Sequence, residues 1–304
     1  MTSDAERLAW LFRGRTDAWG HVEGRCVRAP LTAQNWMDHA YADGSVGVYP
    51  LDPENVSDSG ELLVYWGATD IDRGDDMLIL ATNIRAVLRH AGITSWVERS
   101  KGKGYHVLVF MQHRVPAVVM RNALLVAHQI AGVPPTEVYP KQTVLTGAGY
   151  GNYLNVPYAK LWADEGRRVV LDDTNNNNVM PLGEFLNDAT ANMASDSALR
   201  HLAGMYREPP KVVTQHSSTP WDGTLPDLTR RLSGLGFTIF KSGPLAGADR
   251  SGTLMHLLYI LQEDGFTADE ASALIVDADA RWGKFSQRAD GKNRLAELLR
   301  KVYP

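Results

Sequence analysis

The chain has 304 residues, enough for about two domains with a sizeable core, and its composition is that of an ordinary globular protein. Its single cysteine excludes an internal disulfide and a zinc site built from several cysteines, and it favours a reducing, cytoplasmic setting. The formal net charge of −4 does not by itself indicate a nucleic-acid partner. No apolar run approaches the ~20 residues that span a bilayer, and residues 1–6 do not resemble a signal peptide, so no membrane partner is expected.

The first 206 residues alternate between strand-like and helix-like patterns. In chain order they predict a helix at 5–12, a strand at 19–27, a helix at 32–42, strands at 46–51 and 62–72, a helix from about 76 to 91 that Asp75 or Asp76 can cap, strands at 94–98 and 104–111, a helix at 117–131, strands around 137, at 152–157 and at 168–171, and a helix at 194–206. This order predicts an α+β fold. We expect a mainly antiparallel, RRM-like sheet with helices on one face, and a small N-terminal α/β subregion.

The remaining third of the chain has a different character. Residues 207–222 are rich in Pro, Ser and Thr and predict a linker, and the pattern after them is helical. Apolar residues at helical spacing predict helices at 250–263, at 268–280 and around 295–299, the second opened by a capping box from Thr267 to Glu270. We therefore predict a first domain over 1–206, a linker over 207–222 and a helical bundle over 223–304.

Two aspartates end the apolar strand at 62–72. Asp70 and Asp72 are two residues apart, and the period of a strand places both carboxylates on one face. Carboxylate oxygens at an open strand end suit Mg²⁺ or Mn²⁺. An isolated Asp-x-Asp is more often a turn or a solvated strand end, so this pair gains meaning only in combination with two later segments of the chain.

A Gly/Lys turn leads into the strand at 104–111. Its candidate nucleotide-binding residues are Ser100, Lys101, Gly102, Lys103, Gly104 and His106. Such a turn exposes backbone N–H groups, and the lysines and the histidine add donors for a triphosphate. The alternative is a plain hairpin turn with two exposed lysines.

A third segment adds Glu137, followed by Lys141 and Gln142, with Asn152 further along the same edge. Glu137 could equally be an exposed residue of an edge strand. Together, however, the three segments offer ligands for two metal ions and donors for a triphosphate, which are the requirements of two-metal phosphoryl transfer.

This combination resembles the archaeo-eukaryotic primase superfamily, in particular its primase-polymerase branch in phages, plasmids and mobile elements. The resemblance covers most of residues 10–205. Asp70 and Asp72 match its first motif, Gly104-Tyr105-His106 its second and Glu137 its third. It implies a template-directed nucleotidyltransferase, a DNA primase-polymerase, whose catalytic domain is residues 1–206 and whose catalytic residues are Asp70, Asp72, Glu137 and His106.

The resemblance also implies the cofactors and partners. The three carboxylates would hold two divalent ions, Mg²⁺ or Mn²⁺, and no zinc is expected. The partners would be nucleoside triphosphates, a single-stranded or primed DNA template and, fused or separate, a helicase, in the cytoplasm of a bacterial host if a phage or plasmid encodes the chain. Two departures stand out: Gly104 replaces a serine that many relatives carry, and residues 152–157 lack an arginine found in some of them.

The last helical segment is locally basic, with seven Lys/Arg between residues 281 and 301 against Asp290 and Glu297. Residues from about 223 onward resemble the helical module that follows such catalytic domains. Arg281, Lys284 and Arg288 are therefore our candidates for contact with nucleic-acid phosphates. A solvated helix face explains the same charges equally well.

Two other functions are compatible with parts of the pattern. A glycosyltransferase also uses Asp-x-Asp with a metal ion to hold a nucleotide diphosphate, but it gives no reason for the Gly/Lys turn, His106 or Glu137. A non-catalytic single-stranded nucleic-acid-binding module on an RRM-like sheet would bind without divalent metal, and the sequence lacks the aromatic run typical of such modules.

Overall fold

The structure is a computed structural model that describes residues 3–21, 24–72, 76–135, 137–145, 149–207, 224–244 and 249–303. Its strands are β1 (Trp19–His21), β2 (Cys26–Val27), β3 (Val46–Val48), β4 (Leu63–Ile71), β5 (Trp96–Arg99), β6 (Tyr105–Pro116), β7 (Glu137–Tyr139), β8 (Leu154–Asn155), β9 (Val169–Asp172) and β10 (Asn178–Val179). Its helices are α1 (Asp4–Leu11), α2 (Ala33–Tyr41), α3 (Met77–His90), α4 (Ala117–Ala131), α5 (Lys160–Ala163), α6 (Leu182–Ala191), α7 (Asp196–Ala203), α8 (Leu225–Arg231), α9 (Gly234–Ser242), α10 (Arg250–Glu263), α11 (Ala268–Trp282) and α12 (Gly291–Val302). The chain divides into two compact units, Met1–Arg207 and Glu208–Pro304.

The first unit is built on a six-stranded sheet with the strand order β10-β9-β5-β6-β4-β7. Every neighbouring pair in it is antiparallel. The two long strands β4 and β6 are mostly buried, in keeping with their apolar stretches, and only residues 112–114 of β6, which are polar, are exposed. The predicted α+β class with an antiparallel sheet is confirmed.

Helices cover one face of this sheet, as predicted. Buried residues of α3 and α4, such as Ile84, Leu88 and Leu124, pack in one core with Val107 and Val109 of β6. Gly92, with φ of 76°, ends the segment of α3 in the left-handed conformation that favours glycine. Asp76 precedes α3 without a side-chain cap hydrogen bond, so the predicted cap is wrong for this residue, and Asp75 lies outside the described residues.

The opposite face is covered as well, which the sequence pattern did not predict. It carries large side chains, including Trp66, Trp96 and Phe110, that are at most 1 % exposed. Phe12, which follows α1, packs edge-on against Trp66 and Phe110, and Phe185 of α6 contacts Phe110 and Trp96. Aromatic area of this size requires a cover, and α1 and α6 supply it.

A second, four-stranded sheet with the order β2-β1-β3-β8 forms the predicted N-terminal subregion. Two of its glycines lie directly under an aromatic ring: a Cβ at Gly20 or Gly47 would come within 2.4 Å of Tyr153. The strand predicted at 19–27 is a hairpin of β1 and β2, and the strand predicted at 152–157 is only the short β8.

The second unit is helical in the residues that the structure describes. Leu254, Leu258, Leu274 and Leu295 belong to its core, which joins α10, α11 and α12. The capping box at Thr267 is present: its side chain accepts from the backbone of Glu270, whose carboxylate accepts from the Thr267 N–H. Sequence patterns missed α8 and α9, and almost all of the predicted linker lies outside the described residues. None of the described helices is both long enough and apolar enough to span a membrane.

Candidate active site

Four charged or polar side chains form a line across four neighbouring strands. In the ladder registers Glu98 of β5 lies opposite His106 of β6, His106 opposite Asp70 of β4, and Asp70 opposite Glu137 of β7. Directly opposed residues of antiparallel strands project from the same face of the sheet. We call these four residues the transverse row.

Three of the four make a continuous chain of polar contacts. The imidazole Nδ1 of His106 lies 2.8 Å from Oε2 of Glu98, a hydrogen bond in which the ring N–H donates. Its other nitrogen, Nε2, lies 3.5 Å from Oδ1 of Asp70. The side chain of Glu98 is fully buried, while those of His106 and Asp70 are 12 % and 22 % exposed. The row therefore passes from the protein interior towards the surface.

Glu137 ends the row on the edge strand β7, where its side chain is 41 % exposed. Its Oε1 lies 2.5 Å from Nζ of Lys141, and its Oε2 accepts a hydrogen bond from the hydroxyl of Tyr139 at 3.1 Å. Glu137 and Lys141, two of the predicted residues of this segment, are thus side by side, with the lysine neutralising the carboxylate.

The neighbouring carboxylates change the pKa values of Asp70 and His106. Burial raises the pKa of the Asp70 carboxyl, and the carboxylates of Asp72, Glu137 and Glu98 raise it further, against the opposing effect of His106. Burial by itself would lower the pKa of His106, but Glu98 and Asp70 outweigh it, so the pKa lies above its ordinary value. The site thus concentrates carboxylates around one histidine.

A divalent ion is the group that such a donor set implies. The described residues contain no three Asp, Glu, His or Cys side chains already arranged to hold a metal ion. Asp70 and Glu137 are nevertheless directly opposite each other on neighbouring strands. In such pairs the Cβ atoms lie ~5 Å apart. Both side chains supply the oxygen ligands that Mg²⁺ and Mn²⁺ prefer. The carboxylate crowding that raises the pKa of Asp70 is relieved by a cation. These residues fit a divalent ion, provided that Lys141 releases Glu137.

The Gly/Lys turn joins β5 to β6 beside the row. A Cβ at Gly104 would lie 2.7 Å from the carbonyl oxygen of Ile71, so glycine is needed for the start of β6 to approach the end of β4. Gly102 has open space around it, and its N–H donates to the hydroxyl of Ser100 at 3.3 Å. Only Gly104 therefore has a packing reason to be glycine.

The lysine side of this turn packs against α5 and the loop that follows it. The ammonium of Lys101 lies 4.4 Å from the ring centroid of Trp162, and the guanidinium of Arg167 lies 4.6 Å from the same ring. Arg167 also donates to the Lys101 carbonyl at 3.3 Å. Lys103 is exposed. The turn therefore presents several cations close to the row.

Buried contacts on the helical side fix the strands that carry the acids. Arg121 of α4 donates to the carbonyls of Val138 and Pro140, at 2.9 and 3.0 Å, and so holds β7. The hydroxyl of Thr69, next to Asp70, is hydrogen-bonded to Nε2 of the buried His128. These contacts hold the positions of Asp70 and Glu137 from behind.

The other predicted residues lie outside the transverse row. Asp72 comes after the end of β4 and is exposed, as is Asn152, and Gln142 lies against Gly151. In the second unit Arg281 pairs with Asp277 and stacks on Phe240, Lys284 lies 3.6 Å from Asp249, and Arg288 lies 3.7 Å from Asp290. Each of these three basic residues thus has a local acidic neighbour.

Sequence reasoning did not single out the buried charged residues Glu98 and Arg168. Glu98 stands out in the sequence only as the lone acid in a basic stretch, and it is the register of β5 and β6 that places it opposite His106. Arg168 precedes β9, is 6 % exposed and adopts φ of 51°. Burial lowers the pKa of this arginine, and the charge of Glu98 opposes that effect, so the two attract each other.

Comparison with known proteins decides the family. The model of the archaeo-eukaryotic primase domain of TOTE conflict systems matches residues 21–197, more than half of the chain and all of the transverse row. The chain belongs to this family. The predicted membership in the primase superfamily is confirmed, and this primase domain has a nucleotidyltransferase-type, primase-like function.

Among solved structures, the primase domain is similar to a polymerase domain from Mycobacterium tuberculosis ligase D in complex with DNA. The sequences are 17 % identical, the likeness covers 62 % of this chain and 71 % of that one, and the TM-score is 0.28. A likeness at that level adds nothing to the functional argument. No curated protein is similar enough to this chain to match it.

Proposed function

We propose that this chain is a template-directed nucleotidyltransferase, a DNA primase-polymerase that joins nucleoside triphosphates on a single-stranded or primed template. The observation that carries the proposal is the register of three strands, which aligns His106, Asp70 and Glu137 side by side on one face. Family membership supports it independently. The setting in phage or plasmid DNA replication, with a fused or separate helicase, is part of the proposal.

In this proposal Asp70, Asp72 and Glu137 hold two divalent ions, Mg²⁺ or Mn²⁺. When bound, such ions lower the pKa of the attacking 3′-hydroxyl and stabilise the leaving pyrophosphate. Lys141, which neutralises Glu137 in the absence of substrate, then turns to the phosphates.

The triphosphate is bound by cations that surround the row. His106 donates from Nε2 to a phosphate oxygen in place of its approach to Asp70. Lys101 and Lys103 add positive charge, and Ser100, Gly102 and Gly104 line the same turn. Gln142 and Asn152 come after Glu137 along the chain and complete the proposed nucleotide-binding set.

The deciding experiment is nucleotide incorporation on unprimed and primed single-stranded DNA, with NTPs or dNTPs and with Mg²⁺ or Mn²⁺ supplied separately. We expect labelled product with at least one combination and none when EDTA removes the metal. E137Q should abolish product, whereas E54Q, at an exposed glutamate, should not.

Several results of this experiment would contradict the proposed nucleotidyltransferase function. If wild-type protein makes no product under any combination, or if E137Q makes as much as wild type, the proposal is wrong. DNA binding unaffected by E137Q, without incorporation, would point to the non-catalytic nucleic-acid-binding module. Turnover of a nucleotide sugar would point to the glycosyltransferase.

A further inference from the structure

Glu98 is an acid in a place where an apolar residue would be expected. It lies on β5 between β6 and β9, and its side chain has no exposed surface. Its neighbour Trp96, two residues along the same face, is buried in the aromatic core. Burying a carboxylate costs several kcal/mol unless it is paired and hydrogen-bonded.

Only part of the hydrogen-bonding capacity of Glu98 is used. Oε2 accepts from Nδ1 of His106 at 2.8 Å. Oε1 is buried and has no hydrogen-bond partner among the residues that the structure describes. A fold that needed only to fill this space would be served better by an apolar side chain. The charge of Glu98 also attracts the buried Arg168, but its hydrogen bond is to His106.

That contact fixes the imidazole ring in two respects. Because a carboxylate only accepts, Nδ1 must carry a proton, which sets the state of that nitrogen. The same bond fixes the ring plane, so that Nε2 is directed along the row towards Oδ1 of Asp70, 3.5 Å away. Nε2 is the atom that meets the triphosphate in the proposed function.

We propose that Glu98 is a positioning residue, which holds the His106 ring so that Nε2 faces the phosphates of the bound nucleotide. This inference rests on the proposed function. Glu98 itself lies behind His106 and touches neither the proposed metal ligands nor the nucleotide. It acts as the carboxylate partner that commonly orients a functional histidine.

The first test separates binding from chemistry. E98A should raise the KM for nucleotide by about 10- to 100-fold, the range typical of lost orienting partners, with a smaller effect on kcat. E98Q keeps a carbonyl oxygen that can accept from Nδ1, so its KM should lie between those of E98A and wild type. E54A, at an exposed glutamate, should match wild type. An unchanged KM in E98A, or a fall in kcat alone, would overturn the proposal.

The second test asks whether Glu98 acts through His106. We expect H106A and the double variant E98A/H106A to have the same KM, since there is no ring left to orient. If removing Glu98 instead raises the KM of H106A by the same factor as it raises the KM of wild type, Glu98 has a merely structural role.

The third test needs no catalysis. In NMR spectra of the protein without metal or nucleotide, His106 should show a slowly exchanging Nδ1–H signal, identified by its loss in H106A and absent in E98A and E98A/H106A. A wild-type spectrum without that signal, or its persistence in E98A, would refute the contact. If wild-type protein incorporates no nucleotide, the proposed function fails, and these ring signals still decide whether Glu98 holds His106.

Discussion

The two units differ in how they treat charged side chains. In the first unit Glu98, His106 and Asp70 come from three separate strands, and their side chains are 0, 12 and 22 % exposed. In the second unit Arg281 and Lys284 are 38 and 31 % exposed, and each pairs with an acid on a nearby helix turn or loop. Apart from Glu98, the residues of both sets were conspicuous in the sequence. Only the first is assembled by tertiary structure at the cost of burying charge, which is typical of functional sites.

The strongest test of this difference is Asp70→Asn. We expect nucleotide incorporation to fall at least about a hundredfold, because a metal ligand contributes several kcal/mol to transition-state stabilisation. The thermal midpoint should stay the same or rise, since burial and neighbouring carboxylates disfavour the charge of Asp70. Primer extension and calorimetry measure the two quantities, with D43N, at an exposed aspartate, as the control. A stable D70N protein with full activity would remove Asp70 from the site.

A buried histidine elsewhere in the first unit should make the stability of that unit depend on pH. Burial lowers the pKa of His39 from 6.5 to about 4; its Nε2 donates to the Pro157 carbonyl, and its Nδ1 accepts from the Val46 N–H. The unfolded chain therefore binds the proton more readily, and this neutral histidine's contribution is complete above pH ~6.5 and falls as the pH drops towards ~4.

The shift of the His39 pKa from 6.5 to about 4 corresponds to about 3 kcal/mol of unfolding free energy. H39Q should be less stable than wild type at pH 7 and should lose less on acidification to pH 4.5, as measured by urea unfolding. Parallel losses in the two proteins would show that His39 contributes nothing to the acid sensitivity.

The two glycines of the Gly/Lys turn provide a smaller, matched test. G104A should lower the unfolding free energy by about 1–3 kcal/mol, because its Cβ would meet the backbone oxygen of Ile71 at 2.7 Å. G102A has open space and should change stability by less than about 0.5 kcal/mol. Equal destabilisation by both would show that the turn, and not the approach of β4 to β6, requires glycine.

The smallest effects are expected in the second unit. If Lys284 and Arg288 contact template phosphates, K284Q and R288Q should each reduce the slope of log affinity against log salt by about one, for every sequence alike. R230Q removes an arginine of the same unit that pairs with Asp227, and it should leave the slope unchanged. Identical slopes for all three variants and wild type would leave these charges with a surface role only.

The sequence was sufficient to predict the fold class, most helices and the placing of Asp70, His106 and Glu137 on strands, because hydrophobic period and turn residues are local signals. Their alignment depends on strand register, which no local signal specifies, so the meeting of Asp70 with Glu137 was only an expectation. Glu98 was missed for the same reason, since its importance arises only from the strand beside it. α6 was missed although its buried residues Phe185, Leu186 and Ala189 recur at helical spacing, so a local signal for this helix was present.

The transverse row runs at right angles to its strands, and this has a consequence for how the site can change. Deleting or inserting one residue inside β4 or β6 would turn the side chains beyond that point to the opposite face of the sheet. Asp70 or His106 would then face α3 and α4, while the side chains before that point would keep their places. Length changes in the connecting segment at 100–104 avoid that outcome. Variation in chain length should therefore concentrate between the strands, and a shift of a single position within them should separate folding from function.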